Sequence, residues 1–177
     1  MRWLLTLLLI IQAAEADQTD TSLPDLFSIL SATTGEQNLE AQDAIWQAWF
    51  KVPAGADQGL FDRARLMLSR GELLGAMPIF QQLVIDYPEF AEAHNQLAII
   101  HYARGDDAAS ISAIYEVLSL EPKHFGAWAG LAQIQLRQGE FLGAKAAAEA
   151  ALGVNPFMPF MEQIIEIAGR EIAKESA

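Results

Sequence analysis

The chain has 177 residues, 52% of them hydrophobic, with 11 Lys and Arg against 23 Asp and Glu, a formal net charge of -12 and no Cys. An anionic excess of this size repels phosphate backbones and anionic lipid heads, which sets nucleic acid aside as a partner. Without cysteine there is no disulfide framework, so the fold must rest on an apolar core, for which a single domain of this composition has the material.

Met1 and Arg2 precede an apolar run from Trp3 to Ile11, and Ala14-Glu15-Ala16 follows just before polar residues. The run is far shorter than the roughly 20 apolar residues that span a bilayer. A basic start, an apolar middle and an A-x-A site predict a signal peptide over 1–16, with cleavage after Ala16. The expectation is an exported protein, periplasmic if the source is bacterial, without stable membrane insertion after cleavage; an uncleaved anchor is the other reading. Residues 17–22, DQTDTS, read as a polar leader.

Leu23, Leu26, Phe27 and Leu30 recur at helical spacing with Pro24 near the start. A break at Thr33-Thr34-Gly35 separates them from a second helical pattern, from about Gln37 to Lys51. That second helix carries Ile45, Trp46, Trp49 and Phe50, one turn apart in pairs, an arrangement expected of core more than of a ligand site. Pro53 and Gly55 end the pair.

A fixed period then takes over. Gly71, Gly105 and Gly139 are equally spaced, and Pro88, Pro122 and Pro156 repeat the same interval, each Pro half a period after its Gly. A period of about 34 residues means one supersecondary unit stacked on copies of itself. Ala64, Ala98 and Ala132 keep the same register and are small where two helices must approach. Each Gly suits a left-handed helix end, and each Pro stops the second helix. Three helical hairpins are predicted, over 57–90, 91–124 and 125–158. Pro78 falls inside the second helix of the first unit, so that helix is expected to start late, near Gly75, or to bend. The same ruler places Trp46 one full period before Phe80, and residues 23–56 read as a degenerate unit acting as an N-terminal cap. Residues 159–177 close the chain with one more helix, apolar at Ile164, Ile165, Ile167, Ala168 and Ile172.

The pattern of a large residue, Leu, a small residue, an aromatic, then Ala, Phe and Pro resembles the tetratricopeptide repeat family. It is filled by His94, Leu97, Ala98, His101, Ser110, Ile114 and Pro122 in the middle unit, and by Trp128, Leu131, Ala132, Gln135, Ala144, Ala148 and Pro156 in the third. The first unit has Leu60, Arg63, Ala64, Met67, Ala76, Phe80 and Pro88, with Arg63 departing from the usual Leu. The resemblance implies an all-α fold, a right-handed superhelix or α-solenoid of stacked hairpins with a C-terminal capping helix. It also implies a concave groove lined by the first helices. Opposite the packed stripe lie Phe61, Arg65 and Leu68; Glu92, Asn95, Ile99 and Tyr102; and Ala129, Gln133, Leu136 and Arg137. Asn95 and Gln133 would bond a peptide backbone, and Arg65 or Arg137 would meet a carboxylate. The family's carboxylate clamp is not carried over, because the matching positions hold Phe61, Arg65, Gln96, Gly126 and Gly130.

Little in the sequence suggests catalysis, a cofactor or a metal. His94 and His101 lie seven apart on one helical face, at positions where the repeat calls for packing residues, and His124 sits at a unit junction where it packs or caps the next helix, with no obvious carboxylate partner. Phosphate loops, G-x-S-x-G and H-E-x-x-H are absent from the sequence. Arg104-Gly105-Asp106 is the hairpin turn that reads RGE and QGE in the other units. The expected function is a non-catalytic adaptor or scaffold of the cell envelope that binds a protein or peptide in its groove. The alternative is a self-associating assembly factor, a homodimer being possible, whose groove is filled by its own C-terminal helix or by a second copy.

Overall fold

The computed structural model describes residues 19–175; the signal-peptide reading of 1–16 lies outside them. Among the described residues there are nine α-helices and no strand. They are α1 (Leu23–Ala32), α2 (Glu36–Trp49), α3 (Gln58–Ser69), α4 (Leu73–Asp86), α5 (Ala91–Ala103), α6 (Asp107–Leu120), α7 (Phe125–Gln138), α8 (Phe141–Val154) and α9 (Pro159–Glu175). Six of these, α3 to α8, are the three predicted hairpins.

Each hairpin turn is built the same way. Gly71, Gly105 and Gly139 have φ of 77°, 77° and 78°, where a Cβ would be strained. The residue after each glycine donates its backbone N–H back into the last turn of the helix, Glu72 to Met67 (2.9 Å), Asp106 to His101 (2.9 Å) and Glu140 to Gln135 (2.8 Å). Together with the bonds from the glycines themselves to Leu68, Tyr102 and Leu136, this is the paired closure that satisfies the last carbonyls of a helix. Asp106 then starts α6 by accepting from the Ala109 N–H, so the Arg104-Gly105-Asp106 tripeptide is used up in a turn.

Small residues let the helices of a hairpin meet. Ala64, Ala98 and Ala132 are fully or almost fully buried, and the Ser110 hydroxyl donates to the Ala98 carbonyl at 2.8 Å. Successive hairpins stack through α4 on α5 and α6 on α7, and α9 closes the far end against α8 and α7 by burying Met161, Ile164 and Ala168. This is an all-helical solenoid with a C-terminal capping helix.

Two expectations change. Helix α4 begins at Leu73, not near Gly75, and Pro78 is its sixth residue. The bond that Pro78 cannot give falls at Leu74, an exposed residue in the first turn that solvent can reach, so the helix tolerates it. The N-terminal pair α1–α2 also takes a different place from a preceding unit. In α5 and α7, Ile100 and Ile134 are fully buried against the hairpin before them, whereas the matching Leu66 of α3 is 49% exposed. Arg63 is exposed where Leu97 and Leu131 are buried. Helix α3 therefore starts the stack, and Arg63 is the solvated end residue that such a position needs. Helices α1 and α2 bury Leu23, Phe27, Leu30, Ile45 and Trp49 together with Phe125 of α7, and reach Val154 and Met158.

Replacing Gly105 by Ala forces a Cβ into the left-handed turn and should cost about 1 to 2 kcal/mol in urea unfolding. Gly153→Ala, inside α8 with open space around it, should be neutral or stabilising. Equal effects at the two sites would contradict the turn assignment.

Candidate functional site

The last turn of α2 packs against the start of α7, beside a cleft between α5 and α7 on the side taken as concave. The Trp49 ring is fully buried and stacks on His124, centroids 4.0 Å apart and planes at 10°. Trp46 meets His124 and Phe125 edge-on at 5.5 and 5.3 Å. A Cβ on Gly126 would fall 2.8 Å from the Trp46 ring, so only glycine admits the indole there. Phe50 lies under the Arg65 guanidinium, 3.2 Å from carbon to ring centroid. Further out, Asn155 donates to Gln42 at 2.7 Å, tying α2 to the end of α8.

Beneath this turn is a sealed polar cluster. The Glu92 side chain is fully buried and accepts from Asn95 Nδ2 at 3.1 Å to each oxygen, from Gln96 Nε2, and from His124 Nε2 at 3.1 Å. His124, also fully buried, uses Nδ1 to accept the Ala127 N–H at 3.0 Å and so caps α7. An accepting Nδ1 carries no proton, so the imidazole is neutral with its hydrogen on Nε2, aimed at Glu92. The carboxylate is thus held by three donor side chains, the condition for burying a charge. Arg65 sits nearby: burial pushes its guanidinium below the usual value, and the charges of Glu92 and Asp62 act in the opposite sense. His124 caps the following helix as its position suggests, but it does have a carboxylate partner, Glu92, at the opposite end of the same unit.

The groove residues named from the sequence divide into two sets. Phe61 does not face the groove; it is fully buried against Phe80 and Phe90, at 5.8 and 5.3 Å, because Phe50, Val52 and Ala56 of the α2–α3 connection close over that cluster. Glu92 is sealed, Ala129 is core and Leu68 packs at the edge of the Phe61 cluster. Arg65 is taken up by Phe50. Arg137 lies 4.4 Å from the Tyr102 ring and pairs with Asp107, so neither cation is held ready for a carboxylate. Nor are His94 and His101 buried core; both are half-buried, with His94 Nε2 2.9 Å from the Pro88 carbonyl and His101 3.9 Å from Asp106.

What stays open is the other half of the concave face, at Ile99, Tyr102, Gln133, Leu136 and Arg137, with Asn95 at its inner edge. A cleft of about 270 Å³ runs between α5 and α7, walled by Trp46, Asn95, Ile99, Tyr102, Gln133 and Ile134, with Gly126 and Gly130 along one side. Trp46 is a wall that the repeat pattern does not predict; the one sequence signal for it is a glycine, Gly126, in the first turn of a helix. The C-terminal helix is not in the groove, since α9 seats at the end of the stack. Among the described residues no group of three His, Cys, Asp or Glu is placed to hold a metal, and no helix is long and apolar enough to cross a membrane.

Removing the His124 ring takes away a donor to Glu92, the α7 cap and the surface on which Trp49 stacks. His124→Ala should therefore cost about 3 to 5 kcal/mol in urea unfolding, the range for breaking a buried pair. In a double-mutant cycle with Glu92→Gln, the two losses should be clearly less than additive. Additive losses would mean that the pair is not coupled.

Residues 61–123 match the family model of the tetratricopeptide repeat. A TPR repeat-containing protein of Rhizobium etli is 28% identical over 98 residues, 55% of this chain and 48% of that protein. The TPR repeat-containing protein YvcD of Bacillus subtilis is 34% identical over 58 residues, 33% of this chain and 12% of that protein. The chain thus spans about half the length of the first relative and about an eighth of the second. Among solved structures, the crystal structure of the Sgt2 TPR domain from Aspergillus fumigatus superposes with a TM-score of 0.60 at 19% identity, covering 67% of this chain and 80% of that one.

Proposed function

We propose, for what is a tetratricopeptide repeat protein, a non-catalytic role: an adaptor or scaffold that binds another protein or an extended peptide on the open half of its concave face. Repeats of this kind generally mediate protein–protein interactions. The observation that carries the reading is the stretch from Ile99 to Tyr102 with Gln133 and Leu136 opposite. There Ile99 is 42% exposed on a face where its neighbours are packed. A large apolar side chain left open beside amide groups suits a partner that brings both apolar and backbone groups. An export signal over 1–16 would place the protein in the cell envelope, the periplasm of a bacterium, and we keep that location as part of the proposal.

A photo-crosslinking residue at position 99 tests the face directly, with one at Tyr115 on the outer surface, 55% exposed, as the comparison. Position 99 should give a discrete adduct in living cells that disappears when Tyr102→Ala is added, while circular dichroism stays unchanged. Adducts from position 115 alone, or adducts from 99 indifferent to Tyr102, would move the site elsewhere. An adduct of the chain with itself would favour the self-associating reading.

A further inference from the structure

We infer that the cleft between α5 and α7 is a pocket for one aromatic side chain of the partner, and that Trp46, outside the repeats, makes it selective; the step rests on the adaptor reading of the same face. Size comes first. At about 270 Å³ the cleft is at the small end of the roughly 300 to 1,000 Å³ of pockets that enclose drug-sized molecules, and it has room for a single side chain.

Charge comes next. No carboxylate, ammonium, guanidinium or imidazole lines the cleft. The nearest carboxylate, Glu92, is fully buried and met by Asn95, Gln96 and His124. Arg137 is held by Asp107 and Tyr102. A charged side chain entering here would lose its water and find no counter-charge, which excludes it. The Asn95 amide nitrogen is committed to Glu92, so what Asn95 offers an occupant is its carbonyl, suited to a backbone N–H beside the inserted side chain.

Shape favours an aromatic ring over an aliphatic one. Two aromatic residues, Trp46 and Tyr102, line it, while Gly126 and Gly130 leave helix backbone bare along one side. The two glycines differ in a telling way. Gly126 is needed for Trp46 to approach. At Gly130 a Cβ would meet only Ile114 Cδ1, at an ordinary 3.5 Å, so packing does not demand glycine in the middle of α7. Glycine weakens a helix relative to alanine, and here its visible consequence is room in the cleft.

Titration with capped amino acids, followed by the backbone amide resonances of residues 126–136, tests the pocket without the natural partner. N-acetyl-phenylalaninamide should shift them saturably with about millimolar affinity. N-acetyl-leucinamide should bind at least about threefold more weakly, and N-acetyl-lysinamide and N-acetyl-aspartamide should give no saturable shift. Gly130→Leu should abolish binding by filling the cleft. Gly130→Ala should weaken binding while raising the melting temperature by about 2 to 4 °C. Equal response to leucine or to a charged probe would overturn the inference, as would no saturation or binding indifferent to both Gly130 variants. If these probes fail while the position-99 adduct still depends on Tyr102, the adaptor reading stands and the aromatic pocket falls. Probe binding without any such adduct would be the reverse.

Discussion

The structure depends on one buried contact, the Glu92 carboxylate against the neutral His124 ring under Trp49. It joins three segments distant in sequence: α5, the start of α7 and the last turn of α2. A carboxylate with no exposure is tolerable only when every oxygen is met, and here Asn95, Gln96 and His124 meet it. Because His124 also caps α7, the ring cannot turn away from Glu92 without freeing the Ala127 N–H. The polar contact fixes where α7 begins relative to α5, and Trp49 keeps water from it.

That contact also explains the placement of the N-terminal pair. A solenoid is close to one-dimensional, each hairpin touching only its neighbours. Helices α1 and α2 break this rule by reaching α3 through Phe50 and Arg65, α7 through Trp46 and Phe125, and the end of α8 through Gln42 and Asn155. They behave as a brace across the array more than as its first unit. The groove is shortened as a result, and its remaining half acquires a wall, Trp46, that the repeats alone do not supply.

The repeats were legible because their signals are local. A glycine that must be left-handed, a proline that ends a helix and an alanine where helices touch each act within a few residues, and the fixed period aligns them. The groove was half legible. Assigning faces by repeat position assumes that the concave side is open, which holds for Ile99 and Tyr102 and fails for Phe61 and Glu92, covered by chain from outside the period. Glu92 and His124 stand at opposite ends of one unit, 32 residues apart, so no short-range pattern could pair them. Arg63 and Gly126 did carry information: a cation at a core position marks the free end of the stack, and a glycine in a helix start marks a close neighbour. Each gains its meaning only once that neighbour, or its absence, is known.

The seat of the N-terminal pair is the central claim, and a chain without cysteine allows a clean test. With Gln42→Cys and Asn155→Cys together, a short bismaleimide should join the two within one chain and speed migration in a denaturing gel. A cysteine placed at Leu66 instead, on the free face of α3, should alkylate rapidly. If the 42–155 pair is not joined while the cysteine at 66 is protected, the helix pair stacks ahead of α3 as an ordinary first unit, and the brace is contradicted.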